Sequence, residues 1–370
     1  MVSVPFNAMY GAKQYIAELT IYTFVTSTLN AFFLYYMVTH PGIWLVPFTL
    51  WGLLLSLAPR LIIVLRAIKL FPECRFVPRY MIDATRTKEL FAYASYRFFG
   101  SMSIMLKSQG MAVLVNKYLG PSQNAAMSLG GTVSNHCNDM SGALTSALSP
   151  AITNAYGAGQ MDRVRKLSYA ACRISAAMAL CFVLPLLMEA EEVFHLWLGN
   201  PPQGTVEICR CLMLILIAEN ASCGLFMPIF ADGRIKGYQM SCLATAPLCL
   251  IVAWMLLYFG VGIISVGYAL LVGELIVVAI RLYFSRKICG FDSLAWLRGI
   301  AIPLFCCSLV ALLSCLPVMH FMPRSFIRIV GLTALANAVF LPLAWFYILG
   351  GTERVLIRER IVSKLALLWR

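Results

Sequence analysis

The sequence predicts an all-α polytopic membrane protein with about ten transmembrane helices. Hydrophobic residues make up 61% of the 370 residues and charged residues only 12%, which is about half the charged share of soluble domains. The mean hydropathy is +0.81. Apolar runs long enough to cross a bilayer occur at 15–39, 43–66, 94–118, 124–156, 167–188, 205–230, 239–260, 262–284, 299–318 and 325–349.

The distribution of basic residues predicts the orientation of these helices. Of the 29 Lys and Arg residues, 23 fall on one side of the predicted membrane, including the run from Arg281 to Arg298. The loops on the other side hold three, namely Lys117, Arg324 and Arg328. By the positive-inside rule both termini are cytoplasmic, and the acidic segment "MEAEEVFHLWLGNPPQ" is external. The net charge of +13 therefore fits a membrane surface and requires no nucleic acid.

The order of spans and connectors divides the chain into four parts. Residues 1–88 hold two helices and a basic connector, in which Pro72 and Pro78 interrupt any helix. Residues 89–288 hold six spans, and residues 289–350 hold two more. Residues 351–370 alternate apolar and basic positions at helical spacing, which predicts an amphipathic cytoplasmic tail on the membrane surface.

One predicted span is unusually polar. Within 124–156, small and polar residues recur at intervals of four and three, which places them on one helix face: Ser128, Thr132, Asn135, Asp139, Gly142, Ser146 and Ser149. The other face carries Val133, Cys137, Met140, Leu144 and Leu148. A tight helix–helix contact explains the Gly and Ser residues. It does not explain Asn135, His136, Asn138 and Asp139, because a carboxylate at mid-bilayer costs about 3 kcal/mol. We therefore expect this face to line a polar cavity.

Several other polar groups lie at membrane depth and are candidate functional residues: Lys107, Glu219, Asn220, Arg60, Arg210 and Glu274. Arg60 and Arg210 have a plainer explanation, since a long basic side chain can extend to the membrane surface. Glu274 could be a protonated packing residue. Lys107 could instead form a structural pair with Asp139 or Glu219.

The sequence offers no sign of catalysis or metal binding. The 13 Cys residues include no CxxC pair and are best explained as small packing residues. No nucleotide-binding, zinc-protease or serine-hydrolase motif is present. We expect neither an enzyme nor a cofactor.

From Glu89 onward the chain resembles the polysaccharide (O-antigen-type) flippases, which belong with the multidrug and toxin extrusion (MATE) transporters. Three stretches carry the resemblance: "ELFAYASYRFFGSMSIMLKSQGMAVLVNKYLGPSQNAAMSLGG", "ALSPAITNAYGAGQMDRVRKL" and "NPPQGTVEICRCLMLILIAENASCGLFMPIFADGRIKGYQM". The resemblance implies a MATE-like two-lobe fold. Residues 89–288 would be the second six-helix lobe, and residues 1–88 a remnant of an incomplete first lobe that lacks about three helices.

The resemblance also implies a function. The protein would flip a lipid-linked (undecaprenyl-pyrophosphate) oligosaccharide across the bacterial inner membrane during surface polysaccharide and lipopolysaccharide biosynthesis. Lys107 would hold the pyrophosphate, and H⁺ or Na⁺ could be the coupling ion, with Asp139 or Glu219 as the titrating group. Expected partners are membrane lipids and polysaccharide polymerase or assembly proteins. The alternatives are a cation-coupled multidrug antiporter, or an inactive remnant that serves as a membrane scaffold.

Overall fold

The computed structural model describes residues 15–40, 45–74 and 84–351, together with residues 6, 9, 10, 42 and 354. Every regular element within these ranges is helical, as the composition predicts. Short 3₁₀ or π turns occur at Pro72–Cys74, Leu297–Ala301 and Ala344–Ile348. The α-helices are α1 (Ile16–Thr39), α2 (Leu45–Leu70), α3 (Ala84–Leu119), α4 (Pro121–Gly157), α5 (Met161–Leu198), α6 (Thr205–Asp232), α7 (Lys236–Tyr258), α8 (Ile264–Cys289), α9 (Ser293–Trp296), α10 (Ile302–Phe321) and α11 (Phe326–Leu343).

In the described ranges, nine helical stretches are long and apolar enough to cross a membrane. They correspond to nine of the ten predicted spans, so the prediction of a polytopic helical membrane protein is confirmed. The tenth prediction, at 124–156, coincides with α4. This helix has 37 residues and is about 55 Å long at 1.5 Å per residue, but its composition is too polar for it to be counted with the other nine.

The predicted external acidic loop is largely helical, which corrects the sequence analysis. Helix α5 continues through Leu198 and has 38 residues, where we expected a span ending at residue 188. The helix bends at Glu189, whose backbone is not helical (φ −108°, ψ 18°). The predicted amphipathic tail lies almost entirely outside the described residues.

The chain divides into two compact units, Met1–Thr87 and Lys88–Arg370. The first contains the α1–α2 hairpin. Its small core consists of Tyr10, Ile63, Ala67 and Phe71, and the rings of Phe33 and Trp51 stack across the hairpin at 4.8 Å. Most other apolar side chains of the described part of this unit are exposed, as expected of helices that lie in lipid.

In the second unit α6 is the central helix and packs against α4, α5 and α8. Helix α3 runs parallel to α7 along its length, with the Ser103 hydroxyl donating to the Cys242 carbonyl (2.8 Å) and the Trp254 indole donating to the Tyr118 hydroxyl (2.8 Å). The closest approach of α5 and α6 is at Gly224. A Cβ at this position would lie 2.0 Å from the Ser168 carbonyl oxygen. Only glycine permits this crossing.

The α10–α11 hairpin packs on α5 and is joined to it by ion pairs. Arg328 bonds to the buried carboxylate of Glu189 at 2.8 Å. Arg324 contacts Glu191 at 3.0 Å and Glu192 at 3.3 Å, and the Glu191 carboxylate raises the pKa of Arg324. The acidic residues of the predicted loop therefore neutralise the two Arg residues that the sequence analysis placed on the same side.

Candidate functional site

Helix α4 presents the predicted polar face to the surface of the second unit. Ser128, Thr132, Asn135 and Asp139 are exposed, as is the neighbouring His136. The Thr132 hydroxyl donates to the Ser128 carbonyl at 3.0 Å, as hydroxyls within helices commonly do. In a water-free membrane such a face needs polar partners, because unpaired polar groups cost free energy in an apolar medium.

The opposite side of α4 packs against α5 and α6, as the periodicity predicts. Cys137 is buried, and Val133 packs with it against Met213 and Leu216 of α6. Met140 does not follow the prediction, because its side chain is 53% exposed. The side chains of Leu144 and Ser146 lie outside the described set.

A cluster of charged side chains lies inside the second unit, around Arg281 of α8. The guanidinium of Arg281 is buried and donates from Nη1 to the Ser222 hydroxyl at 2.6 Å and to the Glu219 carbonyl at 3.3 Å. The same nitrogen is 3.5 Å from the Glu274 carboxylate. Arg281 also lies over the ring of Phe226, at 5.7 Å.

Lys107 belongs to the same cluster. It is half-buried on α3 and supplies a second positive charge near the Glu274 carboxylate of α8. Glu219 acts on both Glu274 and Arg281. The alternative to a substrate-binding role for Lys107 was a structural pair with Asp139 or Glu219. In the described part of the chain no ion pair or hydrogen bond joins Lys107 to Asp139, Glu219 or Glu274, so a structural pair for Lys107 stays a prediction.

The cluster thus combines two cations, Lys107 and Arg281, with two carboxylates, Glu219 and Glu274. They come from α3, α6 and α8 of the second unit, with Lys107 and Glu219 half-buried and Glu274 and Arg281 buried. Opposite charges at membrane depth compensate one another, which explains how four ionisable residues can lie within these spans.

Asn220 occupies an interhelical position rather than an exposed cavity wall. It is buried, and its carbonyl accepts a hydrogen bond from the Ser175 hydroxyl of α5 at 2.6 Å. Its amide donates to the side chain of Asn138 on α4 at 3.3 Å and to the Leu216 carbonyl at 2.9 Å. Asn220 therefore joins α4, α5 and α6. Its partner on α4, Asn138, directly precedes Asp139 of the exposed polar face.

The remaining candidates lie apart from this cluster or in the other unit. Arg210 is exposed and donates to the Leu187 carbonyl at 3.1 Å, which ties the start of α6 to α5 near its bend. Arg60 is an exposed residue of α2 in the first unit, directly after Pro59. Both positions agree with the plainer explanation given above for long basic side chains.

The sequence analysis missed Arg281, which it counted among the cytoplasmic basic residues. In the structure Arg281 is buried eight residues before the end of α8. A signal was present, because Glu274 and Arg281 are seven residues apart and so lie on one helix face, two turns from each other.

A search of the described residues for groups of His, Cys, Asp and Glu that could hold a metal ion finds none. Most of the 13 Cys residues are buried.

Comparison with known proteins identifies the family. A family model described as "Polysaccharide biosynthesis protein" matches residues 12–206, which is more than half of the chain. This range includes Lys107 and the polar face of α4, whereas Glu219, Glu274 and Arg281 lie beyond it. No curated protein sequence and no solved structure matches the chain. The chain is a multi-pass helical membrane protein that belongs to the polysaccharide biosynthesis protein family.

Proposed function

We propose that the protein is a transporter, not an enzyme, that flips a lipid-linked oligosaccharide across the bacterial inner membrane. The cargo would be an undecaprenyl-pyrophosphate-linked glycan used to build a surface polysaccharide such as lipopolysaccharide. The observation that carries this proposal is the exposed polar face of α4, which contrasts with the apolar spans around it. Hydroxyl, amide and carboxylate groups are the partners that sugar hydroxyls need, and family membership supports a glycan.

The charges of the buried cluster favour this cargo over a drug cation. An antiporter for cationic drugs needs an excess of negative charge. Asp139, Glu219 and Glu274 would supply it only if no basic residue lay near them. Lys107 and Arg281 offset two of these carboxylates. A lysine at membrane depth is a suitable point charge for the anionic pyrophosphate, while the lipid tail stays in the bilayer.

Energy coupling and topology complete the proposal. H⁺ or Na⁺ would drive transport, with Glu219 or Asp139 as the titrating carboxylate, and polymerase or assembly proteins would receive the glycan. Both termini would be cytoplasmic. Reporter fusions after Leu196 and at the C-terminus should then give opposite signals, and identical signals would contradict this topology.

The central test is transport by full-length protein in vesicles that contain a fluorescent polyprenyl-pyrophosphate oligosaccharide. We expect Lys107→Ala to abolish flipping while the protein still accumulates, and Lys107→Arg to keep part of it, since the charge remains. Lys117→Ala is the matched control. Lys117 is a lysine of the same helix that lies over the ring of Tyr118, near the end of α3.

A structural role for Lys107 gives a different pattern. Lys107→Ala would then lower protein abundance, because the Glu274 carboxylate would lose a compensating charge, and adding Glu274→Gln would restore abundance. Wild-type vesicles that flip no more glycan than empty vesicles would refute the proposed function.

A further inference from the structure

Two basic residues where α3, α6 and α7 meet are held by aromatic rings. The guanidinium carbon of Arg97 on α3 lies 4.6 Å from the centre of the Phe230 ring near the end of α6. The ammonium of Lys236, the first residue of α7, lies 5.9 Å from the centre of the Tyr96 ring on α3. Tyr96 and Arg97 are consecutive residues of α3, so both cation–ring contacts involve the same turn of this helix.

The Phe230 ring under Arg97 is fixed by two other aromatic rings. Phe230 packs edge to face against Phe226 at 5.6 Å and against Tyr238 at 6.0 Å. Tyr238 is buried. The ring face under Arg97 is therefore a defined position.

Two other basic residues at this end of the bundle, Arg234 and Arg165, are paired with carboxylates. Arg234 bonds to Asp232 at 3.0 Å, and this carboxylate raises the pKa of Arg234. Arg165 pairs with Asp162. In contrast, none of the salt bridges in the described ranges includes Arg97 or Lys236, and both are exposed.

A cation over a ring face is attracted to the ring but keeps its N–H donors for another partner. Arg97 lies three residues inside a candidate membrane span that begins at Ala94, and Lys236 begins another. Both therefore lie at the boundary between the bilayer and water, where lipid phosphates are found. Arg and Lys are the side chains best suited to phosphate oxygens.

We propose that Arg97 and Lys236 form a binding site for the phosphate group of an anionic membrane lipid. The site lies where α3 and α7 enter the membrane, and it does not depend on the flipping of a glycan. It would bind an ordinary anionic phospholipid or the pyrophosphate of a polyprenyl lipid by the same contacts.

The test places the full chain in nanodiscs made from equimolar phosphatidylglycerol and phosphatidylcholine, and measures retained lipids by native mass spectrometry. A parallel arm replaces phosphatidylglycerol with a polyprenyl diphosphate. The wild type should retain at least one of these anionic lipids in excess over phosphatidylcholine, and the arm with the larger excess identifies the source of the phosphate. The double variant Arg97→Gln with Lys236→Gln should lose the excess and retain lipids in the ratio of the mixture.

Two further double variants make the outcome decisive. Arg165→Gln with Arg234→Gln removes the same charge at the same end from residues already paired with carboxylates, and should keep the excess. Arg97→Lys with Lys236→Arg keeps both cations and should also keep it, which separates loss of charge from loss of folding. No excess in the wild type in either arm, or an equal loss in both Gln double variants, would overturn the proposal.

Discussion

The crossing of α5 and α6 at Gly224 makes Gly224→Ala a sharp test of the packing. The new Cβ would lie 2.0 Å from the Ser168 carbonyl oxygen, 2.9 Å from its carbonyl carbon and 3.0 Å from the Ala171 Cβ. The first two are backbone atoms, which cannot rotate away. Since non-bonded carbon atoms prefer about 3.5 Å, the two helices must separate by about 1 Å or more.

Two opposing effects set the magnitude. Replacing Gly by Ala within a helix gains about 1 kcal/mol of helix propensity. Overpacking a tight contact costs about 1–3 kcal/mol, and backbone clashes belong at the upper end. We therefore expect a net loss of about 1–2 kcal/mol in the free energy of unfolding. The same separation of α5 and α6 would also shift Asn220 and Ser222 relative to their hydrogen-bond partners.

The buried Cys residues allow a direct measurement. A thiol-reactive dye reports unfolding because most of the 13 free thiols become reactive only when the helices separate. Gly224→Ala should lower the thermal midpoint by about 2–4 °C for each kcal/mol lost. The matched control is Gly131→Ala on α4, where a Cβ meets no atom within 4 Å and stability should be unchanged or higher. A Gly224→Ala protein as stable as the control would refute the described crossing.

Three further outcomes are expected. Glu189→Gln should lower stability by about 3 kcal/mol in the same thiol assay, because Arg328 would keep a buried charge without its carboxylate; an unchanged midpoint would show that the pair is not buried. In a background without native cysteines, a Cys at Asn135 should react with a membrane-impermeant thiol reagent and a Cys at Val133 far less, whereas equal labelling would indicate that the polar face is packed. Asn220→Ala should alter that labelling contrast by releasing α4, and Asn220→Ser should alter it less; a contrast that survives both changes would show that Asn220 does not fix α4.

The sequence was sufficient to predict the helices because run length and period are local properties. The polar face of α4 followed from its spacing of four and three, which the helix geometry alone converts into one face. Met140 broke the pattern, since the burial of a residue at the edge of a face depends on how far the neighbouring helices extend around α4. The partners of α4 could not be read from its own sequence.

The charged cluster shows the limit of counting charges along the chain. Lys107 and Glu274 were both recognisable as costly residues in apolar spans, but the ion pair of Glu274 with Arg281 could not be read from counts of charge. Arg281 was counted with the cytoplasmic basic residues because it begins a run of them, although the predicted span 262–284 contains it. In the structure α8 extends to Cys289, about one and a half turns beyond the predicted span, and Arg281 is buried within it.

The bend in α5 is the clearest case in which distant residues satisfy a local defect. Pro185 has no N–H, so the Cys181 carbonyl one turn earlier loses its helical partner. The side chain of Asn337 on α11 donates to this carbonyl at 3.2 Å. One turn beyond the proline the backbone leaves helical geometry at Glu189, whose carboxylate accepts from Arg328 on the same α11 helix. Helix α11 therefore supplies one partner before Pro185, at Cys181, and one after it, at Glu189. The bend in α5 and the α10–α11 hairpin stabilise each other. A hairpin joined in this way to α5 is an integral part of the second unit.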